Sequence, residues 1–346
     1  MNAYDVVIVG GGPAGSTCAR KTVEAGLRTV VIEEQTSFQK VCAGMMIGEG
    51  EALIDRLYPE MPESVYATPH LLSGPKVYMN DRLIINSKGI HRNYDRSRLD
   101  EWMIQHSGAE VLRGAHYLSF AYGGDGIITI QCQMPDNTIT QIECKYLVSA
   151  QGYKTDIASI LYPKEIEAIR RVDIKQCVLT GSMELSADAI YILMRNESFV
   201  NYMVPKDGVW IIGVGSVTDE SVDTLMESYL EFLRSTFNFN GKVVAESKRQ
   251  ATDLWETPIY GEGNVMLIGE TAGLWGRAGD GIWYGLESGE LCGLAIAAAA
   301  QSGKAASDIY KEKVKDARIT ERVKLAHGNA IAIKKYHRDI DRNSLR

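Results

Sequence analysis

Tyr4-Asp-Val-Val-Ile-Val-Gly-Gly-Gly-Pro-Ala-Gly15 joins an apolar run directly to a cluster of glycines. The run Val6–Val9 predicts a buried parallel strand, and Gly10, Gly12 and Gly15 have the G-x-G-x-x-G spacing of a turn into a helix. At such a turn the first glycine allows a tight bend, the second lets the backbone approach a pyrophosphate, and the third lets the helix lie close to the strand. The helix N-terminus then offers free N–H groups and a positive dipole end to phosphates.

A second apolar strand completes this unit. Thr29–Ile32 ends in Glu33, 18 residues after Gly15, where a carboxylate can accept hydrogen bonds from a ribose diol. Strand, glycine turn, helix and acid together predict a Rossmann-like nucleotide-binding βαβ unit, and therefore an α/β fold. The correctly spaced acid argues against the alternative, a glycine-rich turn that binds nothing.

The composition excludes several classes of function. The chain has 346 residues, of which 45% are hydrophobic and 23% charged, and its net charge of −7 leaves no basic footprint for nucleic acid. The six cysteines form no C-x-x-C pair and the six histidines have no ligand spacing, so we expect no metal site. The first strand begins at residue 4 and the apolar stretch Leu291–Ala300 is short, so we expect no signal peptide and no membrane span. The expected location is the cytoplasm.

Between the first unit and residue 168, helical and strand patterns alternate. Ser97–His106 predicts a helix, whereas Ile127–Cys132 and Ile142–Ser149 predict strands. The last of these strands runs into a glycine turn at Gly152. These elements extend the α/β pattern of the N-terminus.

From about residue 170 to 255 the pattern changes to short strands broken by Gly, Asp and Pro, followed by a helix at Val222–Phe237. We expect an antiparallel β-sheet covered by that helix, forming a separate layer on which a substrate could lie. The predicted strands are Val178–Leu185, Ile190–Arg195, Phe199–Val204 and Val209–Val217.

The pattern of the first unit resumes near the C-terminus, with a strand at Asn264–Glu270 and a long helix from about Gly281 to Ser302. The nucleotide-binding domain is therefore predicted to be discontinuous, formed by residues 1–66, 93–168 and 256–303. Residues 67–92 and 169–255 would form the inserted substrate domain. Residues 304–346 are rich in Lys, Arg and Glu at helical spacing, which indicates a C-terminal helical segment. Its charged surface is either solvated or a site for a partner or for peripheral membrane contact.

A second motif lies near the C-terminus, in Gly269–Gly273 and Gly279–Ile282 followed by Tyr284–Gly289. It resembles the flavin-binding segment of the large FAD-dependent reductase and hydroxylase superfamily. There, a strand delivers an acidic residue to the ribityl chain of FAD, and a helix N-terminus faces the N1/O2 edge of the ring. Two-electron reduction puts negative charge on that edge, which the helix N-terminus stabilises. The resemblance implies bound FAD, with Glu270 where the superfamily more often has Asp.

Three further segments resemble the geranylgeranyl reductase family. Val41-Cys42-Ala43-Gly44 resembles that family's P-C-G-G loop, whose cysteine lies close to the flavin. The segment from Arg96 to Asp100 is similar to its R-x-x-F-D motif, whose arginine approaches FAD. The segment from Tyr202 to Pro205 resembles the end of its Y-x-W-x-F-P motif at the substrate cavity. The similarity covers most of residues 1–300.

The βαβ unit and the resemblance together imply two sets of site residues. The cofactor-binding set is Gly10, Gly12, Pro13, Ala14, Gly15, Glu33, Glu34, Cys42, Ala43, Gly44, Arg96, Gly152, Gly269, Glu270, Gly279, Gly281 and Ile282. The substrate-cavity set is Tyr202, Pro205, Trp275 and Arg277, and the candidate catalytic residues are Cys42 and Tyr202. The departures from the family's pattern fall in the same places, since Val41 replaces proline, Tyr202 replaces tryptophan, and the loop Leu274–Ala278 is one residue shorter.

Four of these residues have two interpretations. Cys42 is either a redox or proton-relay residue beside the flavin or a small buried side chain in a turn. Tyr202 could donate a proton to the substrate or simply be a buried strand tyrosine. Arg277 could clamp an anionic substrate or face solvent, and Trp275 could stack on the flavin or pack in the wall of the cavity.

The leading functional hypothesis is a reductase. Tightly bound FAD, reduced by an external nicotinamide, ferredoxin or deazaflavin donor, would deliver hydride to a carbon–carbon double bond of an apolar, isoprenoid-like substrate, and a nearby group would protonate the adjacent carbon. One dinucleotide fingerprint argues against a separate NAD(P)H domain. Gln151 stands where flavin hydroxylases usually carry Asp. Two alternatives stay open: an oxygen-dependent FAD monooxygenase or halogenase acting on an aromatic substrate, and a non-catalytic flavoprotein that senses redox state or assists assembly.

Overall fold

Two β-sheets with helices packed against them form the protein, for which a computed structural model describes residues 2–46, 49–169, 171–194, 201–216, 220–252, 257–276 and 281–325. The strands are β1 (Asn2–Val9), β2 (Thr29–Glu33), β3 (Tyr66–Met79), β4 (Arg82–Asn86), β5 (Ile90–Tyr94), β6 (Glu110–Arg113), β7 (His116–Tyr122), β8 (Ile128–Gln133), β9 (Ile139–Ser149), β10 (Arg171–Ser182), β11 (Ala189–Met194), β12 (Asn201–Lys206), β13 (Val209–Ser216), β14 (Asn240–Thr252), β15 (Gly261–Glu262) and β16 (Val265–Leu267). The helices are α1 (Pro13–Glu24), α2 (Gly50–Leu57), α3 (Arg96–Gln105), α4 (Asp156–Leu161), α5 (Pro163–Glu167), α6 (Val222–Phe237), α7 (Gly281–Ser302) and α8 (Ala306–Asp316).

The first sheet confirms the predicted Rossmann-like arrangement. Its strands follow the order β15-β16-β9-β1-β2-β6, with β7 and β8 joined to it through β9. The strand β1 pairs in parallel with β2 and β9, and Val6, Val7 and Ile8 are fully buried, as expected for a central parallel strand covered on both faces. The helices α1 and α7 pack closely, because a Cβ atom at Gly289 would lie 2.3 Å from the carbonyl oxygen of Ala14. Close backbone packing between α1 and α7 thus joins the N-terminal βαβ unit to the C-terminal helix.

The second sheet has the order β14-β10-β13-β12-β11-β3-β4, and β5 pairs with β3. One of its faces is covered by α6, whose buried residues Met226, Tyr229, Leu233 and Phe237 recur every three or four positions. The opposite face packs on the loop that follows β2, where Ile190 and Val204 contact Ala43 in one apolar cluster. This second face is therefore turned toward the glycine turn of the first sheet.

Most predicted elements have the expected type, and α6 and α7 have the expected bounds. Asn264–Glu270 is not one strand, since β16 ends at Leu267 and a 3-10 turn begins at Gly269, whose φ of +60° suits glycine. The predicted strand Val178–Leu185 is displaced, because β10 begins at Arg171 and ends at Ser182.

The C-terminal segment includes α8, as its charge spacing predicts, whereas residues 326–346 lie outside the described part of the chain. The division into a discontinuous cofactor domain and an inserted substrate domain stays a prediction. In the part of the chain that the structure describes, no helix is long and apolar enough to cross a membrane.

Candidate active site

A cavity of about 820 Å³ lies between the two sheets, within the usual size range of small-molecule sites. Its wall combines the turn after β1, the end of β2, residues 38–45, the inner face of the second sheet and the start of α7. Segments that are far apart in the sequence therefore meet in one cleft.

The glycine turn at one end of the cleft fits a bound pyrophosphate. Gly10 has a φ of +102°, and a Cβ atom at Gly15 would lie 1.9 Å from the Gly10 carbonyl oxygen, so both positions need glycine for the fold itself. Gly12 differs, because its φ of −69° suits any residue and a Cβ atom added there would have Lys40 Nζ, at 3.7 Å, as its nearest neighbour. The helix α1 begins there with no side-chain cap and no acidic residue in its first turn. Its N–H groups are therefore available to an anion that approaches Gly12.

The acidic end of β2 lies in the same cleft. Glu33 is buried, and its Oε2 accepts a hydrogen bond from the Gly11 N–H at 2.7 Å while its Oε1 accepts one from the Gln35 N–H at 2.8 Å. These bonds fix the carboxylate and leave lone pairs free for the hydroxyl groups of a ribose. Glu34 also lines the cleft, and its carboxylate forms an ion pair with Lys154.

The second motif forms the opposite end of the cleft. Gly269, Glu270, Gly281 and Ile282 line it, the last two at the first turn of α7. Thr271 Oγ1 donates a hydrogen bond of 2.9 Å to the carbonyl oxygen of Gly152, which lines the cleft as well. The turn after β9 and the turn after β16 are thereby tied together. The predicted residues Arg277 and Gly279 lie outside the described residues.

A buried ion cluster supports the loop that carries Cys42. Arg96 donates through Nε and Nη2 to the two oxygens of Asp100, each at 2.8 Å, and Lys40 Nζ donates to Asp100 at 2.6 Å. Burial of Asp100 would raise the pKa of its carboxyl group, but Arg96 and Lys40 outweigh burial and hold that pKa below its usual value. A charged carboxylate thus fixes Arg96, whose Nη1 lies 3.9 Å from the Cys42 sulfur.

Cys42 lies in a positive environment inside the cleft. Burial would raise the pKa of its thiol, but the charges of Arg96 and then Arg249 outweigh burial and lower it. The Gly44 N–H also donates to the Cys42 sulfur, at 3.4 Å. These contacts therefore stabilise the thiolate form of Cys42.

Replacing Arg96 with glutamine should raise the pKa of Cys42, because the nearest cation is removed while the thiol keeps its burial. The measurement is the pH dependence of Cys42 alkylation by iodoacetamide in apoprotein, followed by peptide mapping. The alkylation midpoint should move to higher pH in Arg96→Gln. Arg98→Gln is the matched control, since Arg98 lies on the same helix but pairs with Asp207 at 2.5 Å. An Arg96→Gln midpoint equal to that of the wild type would contradict this electrostatic assignment.

Tyr202 reaches the cleft from the middle of the second sheet. Its ring lies across Gly213 on the neighbouring strand, where a Cβ atom would lie 2.4 Å from the ring. The hydroxyl then accepts a hydrogen bond from Gln176 Nε2 on β10. Burial, and then the charge of nearby Cys42, raise the pKa of Tyr202. The phenol is therefore held protonated and aimed along a defined direction.

Lys206 is a buried cation beneath the same loop. It is 5% exposed, and its Nζ donates at 2.6 Å to both Asn93 Oδ1 and the Tyr94 carbonyl oxygen. Burial lowers the pKa of Lys206 to about 8, partly offset by the charge of Cys42. The ammonium group adds positive charge near the cleft. One of its two acceptors, Tyr94, also donates its backbone N–H to the Gly44 carbonyl oxygen at 3.3 Å.

The stability of the protein should depend on Lys206 in a pH-dependent way. The folded state releases this proton near pH 8, whereas an unfolded lysine keeps it to its usual pKa of 10.5, so unfolding takes up a proton between these values. Relative to Lys206→Met, the wild-type free energy of unfolding should therefore rise by about 2 kcal/mol from about pH 7.5 to about pH 10. Urea unfolding of both proteins at the two pH values measures this. A difference between the proteins that does not change with pH would contradict the lowered pKa.

Most of the predicted site residues of the described chain line the cleft, and two do not. Gly15 lies behind the turn against Gly10, where it serves packing. Pro205 is turned away, and its carbonyl oxygen accepts a hydrogen bond of 2.8 Å from Asn93 Nδ2. Trp275 lines the cleft and packs in a small apolar cluster with Ile174 of β10.

Three residues of this region have no prediction from sequence: Gln176, Lys206 and Arg249. Arg249 lies in β14 at 3.6 Å from the Glu270 carboxylate, and its charge acts on both Cys42 and Tyr202. β14 is rich in charged residues, as a solvent-exposed segment would be. Its pairing with β10 therefore could not be predicted from the sequence. Lys206 directly follows the Tyr202–Pro205 motif, and that adjacency was the available signal.

Comparisons with known proteins agree with this architecture. Residues 5–158 match the model of the FAD dependent oxidoreductase family. Protein CbrA of Escherichia coli strain K12 is 27% identical over 305 residues, which cover 84% of this chain and 83% of CbrA.

Solved structures share the fold at low sequence identity. A geranylgeranyl bacteriochlorophyll reductase-like protein from Thermoplasma acidophilum superposes with a TM-score of 0.76 at 17% identity, covering 97% of this chain and 87% of its own. The p-nitrophenol 4-monooxygenase of Pseudomonas putida DLL-E4 superposes with a TM-score of 0.70 at 16% identity, covering 96% and 89%. The family match and the fitted cleft support FAD as the cofactor, with the glycine turn and Glu33 at one end and the start of α7 at the other.

Proposed function

We propose that this FAD-dependent oxidoreductase is a reductase that saturates a carbon–carbon double bond of an apolar, isoprenoid-like substrate. One observation carries the proposal: Ile174 and Ile192 on the inner face of the second sheet, together with Trp275 from the segment after β16, give an apolar wall to the cleft that Tyr202 also lines. An unconjugated alkene offers no polar group for recognition, so its site needs apolar walls and one positioned acid.

Saturation of an alkene adds a hydride to one carbon and a proton to its neighbour. When bound and reduced by an external donor, FAD would supply the hydride. Tyr202 supplies the proton, because its hydroxyl is held by Gln176 and its raised pKa keeps it protonated until a carbanion-like carbon forms beside it. The two-electron reduction is then balanced, and Tyr202 is left as a phenolate.

Cys42 is the group that we assign to reprotonate Tyr202. The protonated thiol is the form that donates. The two side chains are close, because the charge of the Cys42 thiolate is the second cause, after burial, of the raised pKa of Tyr202. Their environments push the two pKa values in opposite directions, as is typical of acid–base pairs in active sites. The cations of Arg96 and Arg249 then stabilise the thiolate until solvent restores its proton.

The electron donor is external in this proposal, because the sequence carries one dinucleotide-binding fingerprint, at Gly10–Gly15. A nicotinamide, a ferredoxin or a deazaflavin would each serve. The substrate is a small apolar molecule, and an aromatic one belongs to the competing oxygenase function.

Product analysis tests the proposal. Protein reduced with dithionite under nitrogen is mixed with geranylgeranyl compounds, and the masses of the products are measured by mass spectrometry. In the absence of oxygen, each double bond that the reductase saturates should add the mass of two hydrogen atoms to the product. Aromatic compounds mixed with the reduced protein under ¹⁸O₂ are the comparison, and a product that carries ¹⁸O together with unchanged prenyl compounds would overturn the reductase in favour of a monooxygenase.

A further inference from the structure

We propose that the edge strand β4 docks this protein on an anionic lipid bilayer, from which an apolar substrate enters the cleft. The docking surface is defined here as the β3–β4 hairpin, residues 76–88, together with Ile90. The entry route rests on the proposed function, whereas the docking surface does not.

The hairpin exposes large aliphatic side chains in an unusual concentration. Leu83, Ile84 and Ile85 are consecutive residues of β4 and are 45%, 37% and 45% exposed. On the neighbouring β5, Ile90 is 59% exposed. Single exposed aliphatic residues are common on protein surfaces, but a contiguous group of this size marks an interaction site.

These side chains cover both faces of the strand. Leu83 pairs with Tyr78 and Ile85 pairs with Val77, and because Tyr78 and Val77 are consecutive, the two side chains point to opposite faces. A second copy of the chain that adds a strand or packs on the sheet would cover one face or one edge. A lipid phase surrounds both faces at once, which is why we assign the hairpin to a bilayer.

The charges around the hairpin suit an anionic bilayer. The chain as a whole has a net charge of −7, yet residues 76–88 contain Lys76, Arg82 and Lys88 against a single acid, Asp81. Arg82 and Lys88 are exposed beside the aliphatic group. Basic residues next to an apolar insertion are attracted by the negative surface potential of anionic lipids.

A row of side chains connects the hairpin to the cleft. Directly paired residues lie on the same face of a sheet, and here the pairs run through four neighbouring strands. The row is Ile85, Val77, Ile192 and Tyr202. At about 4.8 Å per strand, Ile85 lies about 15 Å from the candidate proton donor. The row is apolar from Ile85 to Ile192 and ends at Tyr202, and we assign it as the route of an apolar chain from β4 into the cleft.

Vesicle flotation tests the docking surface without substrate or turnover. The holoprotein is mixed with vesicles of phosphatidylcholine alone or of phosphatidylcholine with phosphatidylglycerol. We expect binding to the mixed vesicles that weakens in high salt. Ile85→Asp and Leu83→Asp should each lower the partition coefficient about tenfold or more. Ile139→Asp is the matched control, because Ile139 is 64% exposed on β9 of the first sheet. The FAD content and unfolding midpoint of each variant confirm folding.

Three results would overturn the docking surface. The first is that wild type does not bind the mixed vesicles. The second is that Ile139→Asp loses as much vesicle binding as Ile85→Asp. The third is that wild type forms a dimer without lipid and that Ile85→Asp dissociates it. The last result would assign β4 to a second copy of the chain.

The entry route is tested separately with a prenyl substrate embedded in vesicles and a short water-soluble one. Ile85→Asp should slow reduction of the embedded substrate and leave the soluble one unchanged. If wild type and Ile85→Asp reduce the embedded substrate at equal rates, the entry route is refuted and the docking surface is not. Absence of any reduction in wild type would refute the proposed function and leave the flotation result standing.

Discussion

Gly12→Val is expected to give a folded protein that is purified colourless, without bound FAD. The backbone of Gly12 has φ and ψ of −69° and −173°, which valine adopts readily, and beyond its two chain neighbours the nearest atom to a Cβ atom placed there is Lys40 Nζ at 3.7 Å. The isopropyl group would therefore fill only the space in front of the N-terminus of α1, where the pyrophosphate must lie. Loss of those contacts should weaken FAD binding about 1,000-fold, or about 4 kcal/mol.

Visible absorbance and calorimetric titration of FAD into apoprotein measure this effect, and thermal unfolding shows whether the variant is folded. Gly124→Val is the matched control, because Gly124, after β7, also has open space around it but does not line the cleft. Gly15→Ala should behave differently from both, since its Cβ atom would meet the Gly10 carbonyl at 1.9 Å and disturb the fold. If Gly12→Val retains a full complement of FAD, the cleft does not hold the cofactor in the way described.

Removal of the Tyr202 hydroxyl has the largest expected effect on chemistry. Tyr202→Phe should lower the rate of substrate reduction about 100- to 10,000-fold, because the positioned proton donor is lost while the apolar ring remains. FAD should stay bound, since the glycine turn and Glu33 are unchanged. The measurement is a single-turnover reaction of the reduced protein with substrate, followed by flavin absorbance.

Two variants separate proton donation from packing. Gly213→Ala keeps the hydroxyl but pushes the Tyr202 ring off its place over β13, so it should slow reduction as well, and the double variant should be little slower than Tyr202→Phe alone. Tyr191→Phe is the control, because the Tyr191 hydroxyl donates to the Ser186 carbonyl oxygen in the core under α6. A Tyr202→Phe protein with the wild-type rate would show that this residue only fills space.

The cofactor end of the cleft was predictable because its geometry is local. The spacing from Gly10 to Gly15 and the position of Glu33 follow from one strand, one turn and one helix, and short-range rules cover all three. The start of α7 was predictable for the same reason, since its bounds follow from local composition. In both cases the residues that line the cleft are close in sequence to the turn that places them.

The substrate side of the cleft depends on strand register, which the sequence does not encode locally. Gln176 meets Tyr202 only because β10 and β12 both pair with β13 at Gly213. Arg249 reaches the cleft because β14 pairs with β10. The charged neighbours of Arg249 in the sequence are typical of a solvent-exposed segment, so they give no sign of this pairing. Pro205 belongs to the right motif, yet the alternation of side chains along β12 turns it away from Tyr202's face. Long-range pairing therefore decides which motif residues reach the substrate.

Anaerobic reoxidation of the reduced protein is the most direct test of the central claim that this cleft carries hydride from FAD to an alkene. The protein is reduced to a colourless state under nitrogen, and the return of flavin absorbance is followed after each unsaturated compound is added. We predict reoxidation by a prenyl compound with one equivalent of saturated product per FAD. Reoxidation that occurs only when oxygen is admitted, whatever prenyl compound is present, would contradict the account.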